Sequence, residues 1–398
     1  MRILYHHRTR GEDAQGVHIS ALCAAFEALG HRVDRVAPLE RRGAGEAGGS
    51  AGGTAGEWRP TLAGVAIPHW LYEGLALGYN AAAFAGVLAA ALRRRPDFLY
   101  ERYTLFSFAG LLVARLLRRP LILEVNAPLS LELQRHGALV FRGLAQRIED
   151  WLCRSATRTV VVSHAMAEIF TARGVPRERL LVVPNGVDGE RFHPGVDGGP
   201  VRRRYALEGC RVVGFVGWIR PWHGVEGLLQ AAAPLVAADP GLRLLLVGDG
   251  PAVAGLRRQA RRLGIEDRVV FTGAVARDEI PAHIAALDIA VQPDVTDYAS
   301  PIKLFEYLAV GRAVVAPDKP NIREVVRDGV SAELFAPGQW PQLGERLARL
   351  LADPERRRRL GERAAERIAE GGYTWLGNAR RVIEAVAAEA PVSSVEGT

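Results

Sequence analysis

Lys303 and Glu306 stand three residues apart in "YASPIKLFEYLAVGRAVVAPD", Tyr298 to Asp318. The stretch reads as a loop, an apolar helix, then Gly311 and a short strand. A spacing of three puts both side chains on one side of the helix entry, and two chemistries fit. The pair can close as a surface ion pair worth a few tenths of a kcal/mol. Alternatively, each serves a ligand. An ammonium among the free N–H groups of a helix N-terminus holds a phosphate, and a carboxylate one turn on accepts hydrogen bonds from a vicinal diol such as ribose. Phosphate and ribose together describe a nucleotide.

Lysine is scarce in this chain: of 51 basic residues only Lys303 and Lys319 are lysine. A compact ammonium suits places where a guanidinium fork is too large, so each asks for a local reason. Asp294 and Asp297, in "PDVTD", are spaced too widely for an Asp-x-Asp metal pair and read as turn caps. Cys23, Cys153 and Cys210 are far apart and include no CxxC, which argues against a disulfide framework and a thiolate zinc site.

The elements that must position these residues repeat one pattern. Strand-like runs at 2–6, 98–100, 121–125 and 159–162 are each followed by a helical pattern, the first from Ile19 to Leu29. The alternation restarts at "RVVGFVG" after the Pro- and Gly-dense "PNGVDGERFHPG". Strands alternating with helices imply a parallel sheet, so the expectation is two doubly wound α/β halves with ligands at the carboxyl ends of the strands. The boundaries expected are 1–190 and 195–375, with a last helix over 376–390 crossing back to the first domain. The Gly43 to Gly56 stretch reads as a mobile surface loop.

A length of 398 residues suits two such domains, and 48% hydrophobic with 24% charged residues suits a folded cytosolic protein. No apolar run reaches the roughly 18 residues that cross a bilayer. "AAAFAGVLAAAL", Ala81 to Leu92, is therefore expected to be a buried helix, and "MRILYHH" lacks the features of a signal peptide. The charge is uneven: Met1 to Pro194 holds 24 arginines against 18 acidic residues, a net of +6 out of +7. Such a surface suits an anionic membrane face or anionic substrate better than nucleic acid, because its arginines are not interleaved with aromatics. The patch expected to carry this is Leu111 to Arg119 with Arg135, Arg142 and Arg147. A solvated charged helix face is the alternative reading.

In order along the chain, "VVSHAMAEIF", "VVPNGVDGERFHP", "GFVGWIRPWHGVEGLL", "LLLVGDGP", "VVFTGAV", "SPIKLFEYLAVGRAVVA" and "PNIREVV" resemble the large retaining glycosyltransferase family 4. Near the N-terminus, "YHHRTRGEDAQGVHI", "LYERYTLFSFAG" and "LILEVNAPLSLE" resemble a bacterial subgroup associated with surface glycan assembly. The resemblance implies the GT-B fold: two facing Rossmann-like, doubly wound domains with an interdomain cleft, the first binding acceptor and the second the nucleotide-sugar donor. It implies donor contacts from Gly16, Gly217, His223, Gly273, Val275, Tyr298, Ser300, Pro301, Ile302, Lys303, Leu304 and Glu306. Asn126 matches a position, often His, that reaches the transferred sugar. Gly16 would approach from a loop, and Glu101, Arg102 and His18 are the acceptor-side candidates.

Two departures matter. The family pattern has two glutamates with seven residues between them, and the first position is Tyr298 here. A basic residue that clamps the diphosphate is replaced by Trp218, which leaves Arg220 with Lys303 as the clamp and His223 as a lesser candidate. Gly248 and Gly250, in "VGDGP", read as turn-forming glycines, and Phe271 to Arg277 would lie near the base. Retaining transfer in such enzymes is thought to occur on the face where the diphosphate leaves, so the protein's main task is to stabilise charge growing on phosphate. The reaction implied needs neither metal nor cofactor. It uses a UDP- or GDP-sugar and a glycan, lipid-linked or small-molecule acceptor, in the cytoplasm or peripherally on the cytoplasmic membrane face. A nucleotide-sugar 2-epimerase and a non-catalytic sugar-nucleotide-binding scaffold remain the alternatives.

Overall fold

A computed structural model describes residues 1–8, 14–37, 61–62, 65–135 and 137–389. The Gly43 to Gly56 stretch lies outside them. The chain divides into two compact units, Met1–Pro184 with Trp375–Thr398, and Asn185–Thr374.

Unit 1 is built on a six-stranded parallel sheet. Its strands are β1 (Arg2–His6), β2 (Arg32–Val36), β5 (Phe98–Arg102), β6 (Leu121–Val125), β7 (Arg158–Val161) and β8 (Leu180–Val182), with a short β3 (Thr61–Leu62) and β4 (Val65–Ala66) hairpin outside the sheet. The order is β2-β1-β5-β6-β7-β8, so the direction of winding reverses between β1 and β5. Side chains alternate across a strand, and the register pairs Tyr5 with Tyr100 and Arg102 with Glu124. One face buries Ile3, Tyr5, Tyr100 and Ile122 against the helices Ala14–Ala28 and Trp375–Ala387.

Three expectations change here. Gly16 stands in the first turn of the Ala14–Ala28 helix rather than in a loop, because the helix starts five residues before Ile19. Glu101 and Arg102 stand inside β5 rather than past a strand ending at Tyr100, and as neighbours in a strand they point to opposite faces. The apolar helix runs from His69 to Arg94, and by length and composition it could cross a membrane, contrary to the expectation that no run is long enough. A stripe of Glu73, Ala76, Asn80, Ala83, Val87 and Ala91 fastens it to unit 1, but within Ala81 to Leu92 only Ala83, Val87 and Ala91 are buried, so the segment is a largely surface-lying helix and not the buried one expected. Asn80 Nδ2 donates to the Phe106 carbonyl (2.7 Å) and its Oδ1 accepts from Phe108 N (2.8 Å). The Glu73 carboxylate accepts from Val140 N (2.7 Å) and Phe141 N (2.8 Å).

Among the described residues, the helices Ala109–Leu116 and Arg142–Ser155, with His69–Arg94 and the turn before Arg142, carry the exposed large apolar residues of unit 1 other than Met1. Trp70, Leu75, Leu112, Leu116, Val140, Phe141 and Leu144 are among them. The Ala14–Ala28 and Trp375–Ala387 helices present none.

Unit 2 repeats the architecture with β9 (Arg211–Val216), β10 (Leu242–Val247), β11 (Val269–Phe271), β12 (Ile289–Val291), β13 (Ala313–Pro317) and β14 (Glu333–Phe335), all parallel, in the order β11-β10-β9-β12-β13-β14. The sequence order reverses between β9 and β12, and ligands of such sheets bind outside the carboxyl ends of the strands at that reversal. The loop 217–224 leaves β9 there, and the loop 292–301 leaves β12 there to enter the helix Ile302–Ala309.

Candidate functional site

The Ile302–Ala309 helix is amphipathic: Leu304, Phe305, Leu308 and Ala309 are buried, and Gly311 closes it with a φ of 69°. Tyr307 fastens it to β9, its hydroxyl accepting from Val216 N (2.7 Å) and donating to Val216 O (3.2 Å). That bond sits next to Gly217, where φ is 140° and an added Cβ would stand 3.0 Å from Lys303 Cε. Only glycine combines that backbone angle with that approach. Lys303 Nζ lies 4.3 Å from the centre of the Phe215 ring. Pro301 precedes the helix without capping it by a side chain, and among the described residues the N–H groups of Ile302 and Lys303 have no acceptor. Ser300 is anchored from the other side: its Oγ accepts from Asn185 N (2.9 Å) and its carbonyl from Asn185 Nδ2 (2.5 Å).

Among the described residues Lys303 and Glu306 form no ion pair, so the surface-pair reading fails. Each retains some exposed surface, while its charged end lies deep among protein atoms. Burial lowers Lys303 to about 7, opposed by Glu306 and reinforced by Arg220. Burial raises Glu306 to about 7, opposed by Arg277, Lys303 and Arg191. His223 is held down to about 3 by burial, Lys303 and Arg220, so it is neutral near pH 7. Arg220, whose guanidinium lies 5.0 Å from the Trp222 ring centre, is therefore close enough for its charge to act on both Lys303 and His223. Lys303, Arg220, Gly217 and the helix entry, with the neutral His223 beside them, bring positive charge and unpaired N–H groups together, a site for an anion. Trp218 and Trp222 stand exposed in the same loop.

The remaining residues of this unit play supporting parts. Gly273 has a φ of 71° and its carbonyl accepts from Gly248 N (3.1 Å). A Cβ on Gly248 would meet Gly217 O at 2.1 Å and one on Gly250 would meet Ile219 O at 2.3 Å, so these glycines let the β10 turn lie against the β9 turn. Val275 and Leu304 pack on the core, and Tyr298 is buried. Asp294 and Asp297 do more than cap a turn: both accept from Lys319 Nζ, at 2.8 and 3.1 Å. Sequence reasoning passed over Tyr307 and Arg191, and named Arg277 only as the end of a segment near the base; Arg191 and Arg277 oppose the burial of Glu306. Arg277 ends the Phe271 to Arg277 segment, and its charge was the available signal.

In unit 1 the candidates separate by face. Arg102 and Asn126 Nδ2 both donate to Glu124 Oε1, Tyr5 donates to Oε2 (3.2 Å), and His18 Nδ1 lies 3.5 Å from Oε1 and 3.1 Å from Arg102 Nη1. His18 meets the Trp375 ring edge-on at 4.8 Å. A small recess is lined by His18, Tyr100, Glu124, Asn126, Trp375 and Asn378 among others. Burial pushes the Glu124 carboxyl up, but His18, Arg102 and hydrogen bonds from Asn126 and Tyr100 more than offset it and hold it below the usual carboxylate range. Glu124 organises this cluster and was missed. On the opposite face Glu101 pairs with His6 (2.9 Å) and accepts from Ser107 Oγ (3.3 Å). Among the described residues no group of three or more His, Cys, Asp or Glu is placed to hold a metal ion.

Comparison with known proteins now bears on this geometry. Residues 15–191 match the model described as Glycosyltransferase Family 4, and residues 201–367 match Glycosyl transferases group 1. The chain is 32% identical over 244 residues to a D-inositol 3-phosphate glycosyltransferase of Nocardia farcinica, covering 59% of this chain and 52% of that one. It is also 32% identical over 215 residues to a 2-deoxystreptamine glucosyltransferase of Streptomyces kanamyceticus, covering 53% and 55%. These matches span about half the length of either relative. In three dimensions the chain is similar to Anabaena HepE, crystallised in complex with UDP, with a TM-score of 0.74 and 21% identity over 98% of this chain and 100% of that one. The fold is GT-B, and the chain belongs to glycosyltransferase family 4.

Proposed function

We propose that this chain is a retaining, metal-independent glycosyltransferase that takes a sugar from a UDP- or GDP-sugar bound at the Ile302–Ala309 helix entry of unit 2. The observation that carries the reading is Lys303: an ammonium set deep against Gly217 at a helix entry where, among the described residues, it has no ion-pair partner and the N–H groups of Ile302 and Lys303 have no acceptor. A diphosphate supplies the missing counter-charge. As the glycosidic bond breaks, negative charge grows on the β-phosphate, and Lys303, Arg220 and the N–H groups of Ile302 and Lys303 stabilise it. Glu306 accepts hydrogen bonds from the ribose hydroxyls, and Tyr298 stands where the family's sugar-reading carboxylate does. Because these groups meet the charge, the reading gives no metal a role. For unit 1 the reading is an acceptor role, with Asn126, Arg102 and His18 held by Glu124 and Asn126 directed to the transferred sugar.

The test is a thermal-shift panel of UDP, GDP, ADP and CMP with their sugar conjugates. A nucleotide that binds only the folded chain raises its unfolding temperature by mass action. One nucleoside diphosphate and its sugar should stand out for wild type and vanish in Lys303→Ala. A panel that is flat for wild type, or unchanged in Lys303→Ala, overturns the assignment. The relatives' names make D-inositol 3-phosphate and 2-deoxystreptamine the first acceptors to assay, and EDTA should leave the rate unchanged. Conversion of the donor to its 2-epimer would favour the epimerase reading instead.

The basic first unit suits peripheral contact with an anionic bilayer on the cytoplasmic face. Phe141 and Leu144 stand exposed beside Arg142 and Arg147, and the two N–H bonds to Glu73 fix the turn that displays Val140 and Phe141. Apolar side chains among arginines fit the headgroup boundary of anionic lipid. Full-length chain should co-sediment with phosphatidylglycerol vesicles and not with phosphatidylcholine vesicles, and Phe141→Asp/Leu144→Asp should abolish this. Equal binding to both vesicles, or none, rules the contact out.

A further inference from the structure

Two lysines survive in a chain that otherwise writes positive charge as arginine, and the donor reading uses only Lys303. Lys319 follows β13, yet its side chain reaches back to the loop that leaves β12. Its Nζ donates to Asp294 Oδ1 (2.8 Å), Asp297 Oδ1 (3.1 Å) and the Val295 carbonyl (2.5 Å). An ammonium has three hydrogens, and three acceptors are converged on one point. A planar guanidinium directs its N–H groups outward as a fork and cannot meet three oxygens around one atom. Two residues on, Asn321 continues the same grip: its Nδ2 donates to the Thr296 carbonyl (2.9 Å) and the Ala299 carbonyl (2.5 Å). Asn321 and the Lys319 side chain are largely buried. Asp294 N is in turn bonded to the His223 carbonyl (3.1 Å), which joins this loop to the one that carries Arg220.

We propose that Lys319 and Asn321 are positioning residues for the donor site: together they fasten residues 294–299, and so fix where the following helix entry presents Lys303. The inference rests on the donor-site reading for its catalytic consequence. The loop has no regular hydrogen-bond ladder of its own: beside the Asp294 N bond, a bond from Gln292 Nε2 to the Asp294 carbonyl (2.6 Å) and a turn from Ala299 N to the Thr296 carbonyl (3.3 Å), these five side-chain bonds are what tie residues 294–299 to the segment after β13. Removing the ammonium also leaves Asp294 and Asp297 facing each other with like charge, which drives the loop apart. Lys303 then loses its fixed place against Gly217.

The experiment uses the full-length chain as wild type, Lys319→Ala, Lys319→Arg and Asn321→Ala. It combines donor kinetics with amide hydrogen exchange over peptides spanning 294–304, without ligand and with UDP. Lys319→Ala should lower kcat/KM for the donor by about ten- to hundredfold, through a raised KM together with a lowered kcat, since the misplaced Lys303 both binds the diphosphate and stabilises the charge that grows on it. Exchange over 294–304 should accelerate while β9, β10 and β13 stay protected. Lys319→Arg should fall between Lys319→Ala and wild type, since it restores charge without the three-way geometry. A wild-type kcat/KM for the donor in Lys319→Ala overturns the proposal, and if its unfolding temperature has fallen the lysine is a stability element only. Unchanged exchange over 294–304 in both alanine variants also overturns it. Failure of the donor reading is seen separately, as a wild-type chain that binds no nucleoside diphosphate. In that case the exchange result alone decides whether the clamp exists.

Discussion

The two units place charged side chains at comparable points, near the carboxyl ends of parallel strands, and treat them in opposite ways. In unit 1 Glu124 is 2% exposed and surrounded by donors, and its carboxyl is held below the usual range. In unit 2 Lys303 and Glu306 are also deep, but neither has an ion-pair partner among the described residues, and burial drives both to about 7. A buried charge that is fully paired is part of the structure, and taking away its partners costs stability. A buried charge left without a partner is destabilising by itself, which a fold tolerates where a ligand completes it.

The sharpest way to break this comparison is to delete a charge from each unit. Lys303→Ala should reduce donor-dependent transfer by about a hundredfold or more, the scale of losing a group that stabilises developing charge. Its unfolding temperature should stay at or slightly above that of wild type, because a desolvated charge has been removed. Glu306→Ala should lose about 1.5–3 kcal/mol of donor binding, the worth of hydrogen bonds to a charged group. Glu124→Ala should do the reverse, costing about 3–5 kcal/mol of stability by stranding the Arg102 guanidinium in the interior. Paired calorimetry and kinetics decide it: equal loss of stability in Lys303→Ala and Glu124→Ala would remove the distinction between the units.

The same contrast explains what could be read before any coordinates. The strand and helix alternation is legible because each strand is a short apolar run, as in "RVVGFV" and "LRLLLV", and Lys303 with Glu306 is legible because both lie at one helix entry. Glu124 is not, because its chief partner Arg102 is 22 positions away and only the β5–β6 register brings them level. That register also sends Glu101 and Arg102 to opposite faces, which adjacency in "YERY" conceals. Lys319 is visible as a rare lysine, but its partners lie 22 to 25 residues upstream, across the Ile302–Ala309 helix and β13. The His69–Arg94 helix is misjudged in length because the glycines and single acid of its first half hide the period.

A smaller effect tests how closely the backbone must approach Lys303. Gly217→Ala adds a Cβ 3.0 Å from Lys303 Cε at a φ of 140°, and a non-glycine residue in such a region costs about 1–3 kcal/mol. The lysine end can shift where the backbone cannot, so donor affinity should fall together with stability. Lys303→Ala/Gly217→Ala should then show less than additive loss of nucleotide binding. Additive losses would mean that Gly217 and Lys303 act separately.

The mildest prediction uses pH. Lys303 has its pKa lowered from 10.5 to about 7; between these values the unfolded chain keeps a proton the folded chain has lost, so stability rises with pH. Glu306 has its pKa raised from 4.5 to about 7; between these values the folded chain keeps the proton, so stability falls as pH rises. The two contributions meet in a minimum near pH 7. Lys303→Met/Glu306→Gln should remove that minimum, so its stability gain over wild type should be greatest near pH 7 and shrink toward pH 4.5 and pH 10. Glu124→Gln should show no such maximum, since its native carboxyl is lowered rather than raised. Diphosphate binding favours the charged ammonium, so wild type should take up protons on binding UDP at pH 8, measured calorimetrically in buffers of different ionisation enthalpy. If binding releases protons there, or the double variant's gain is flat with pH, Lys303 and Glu306 are compensated in the free chain and the contrast between the units fails.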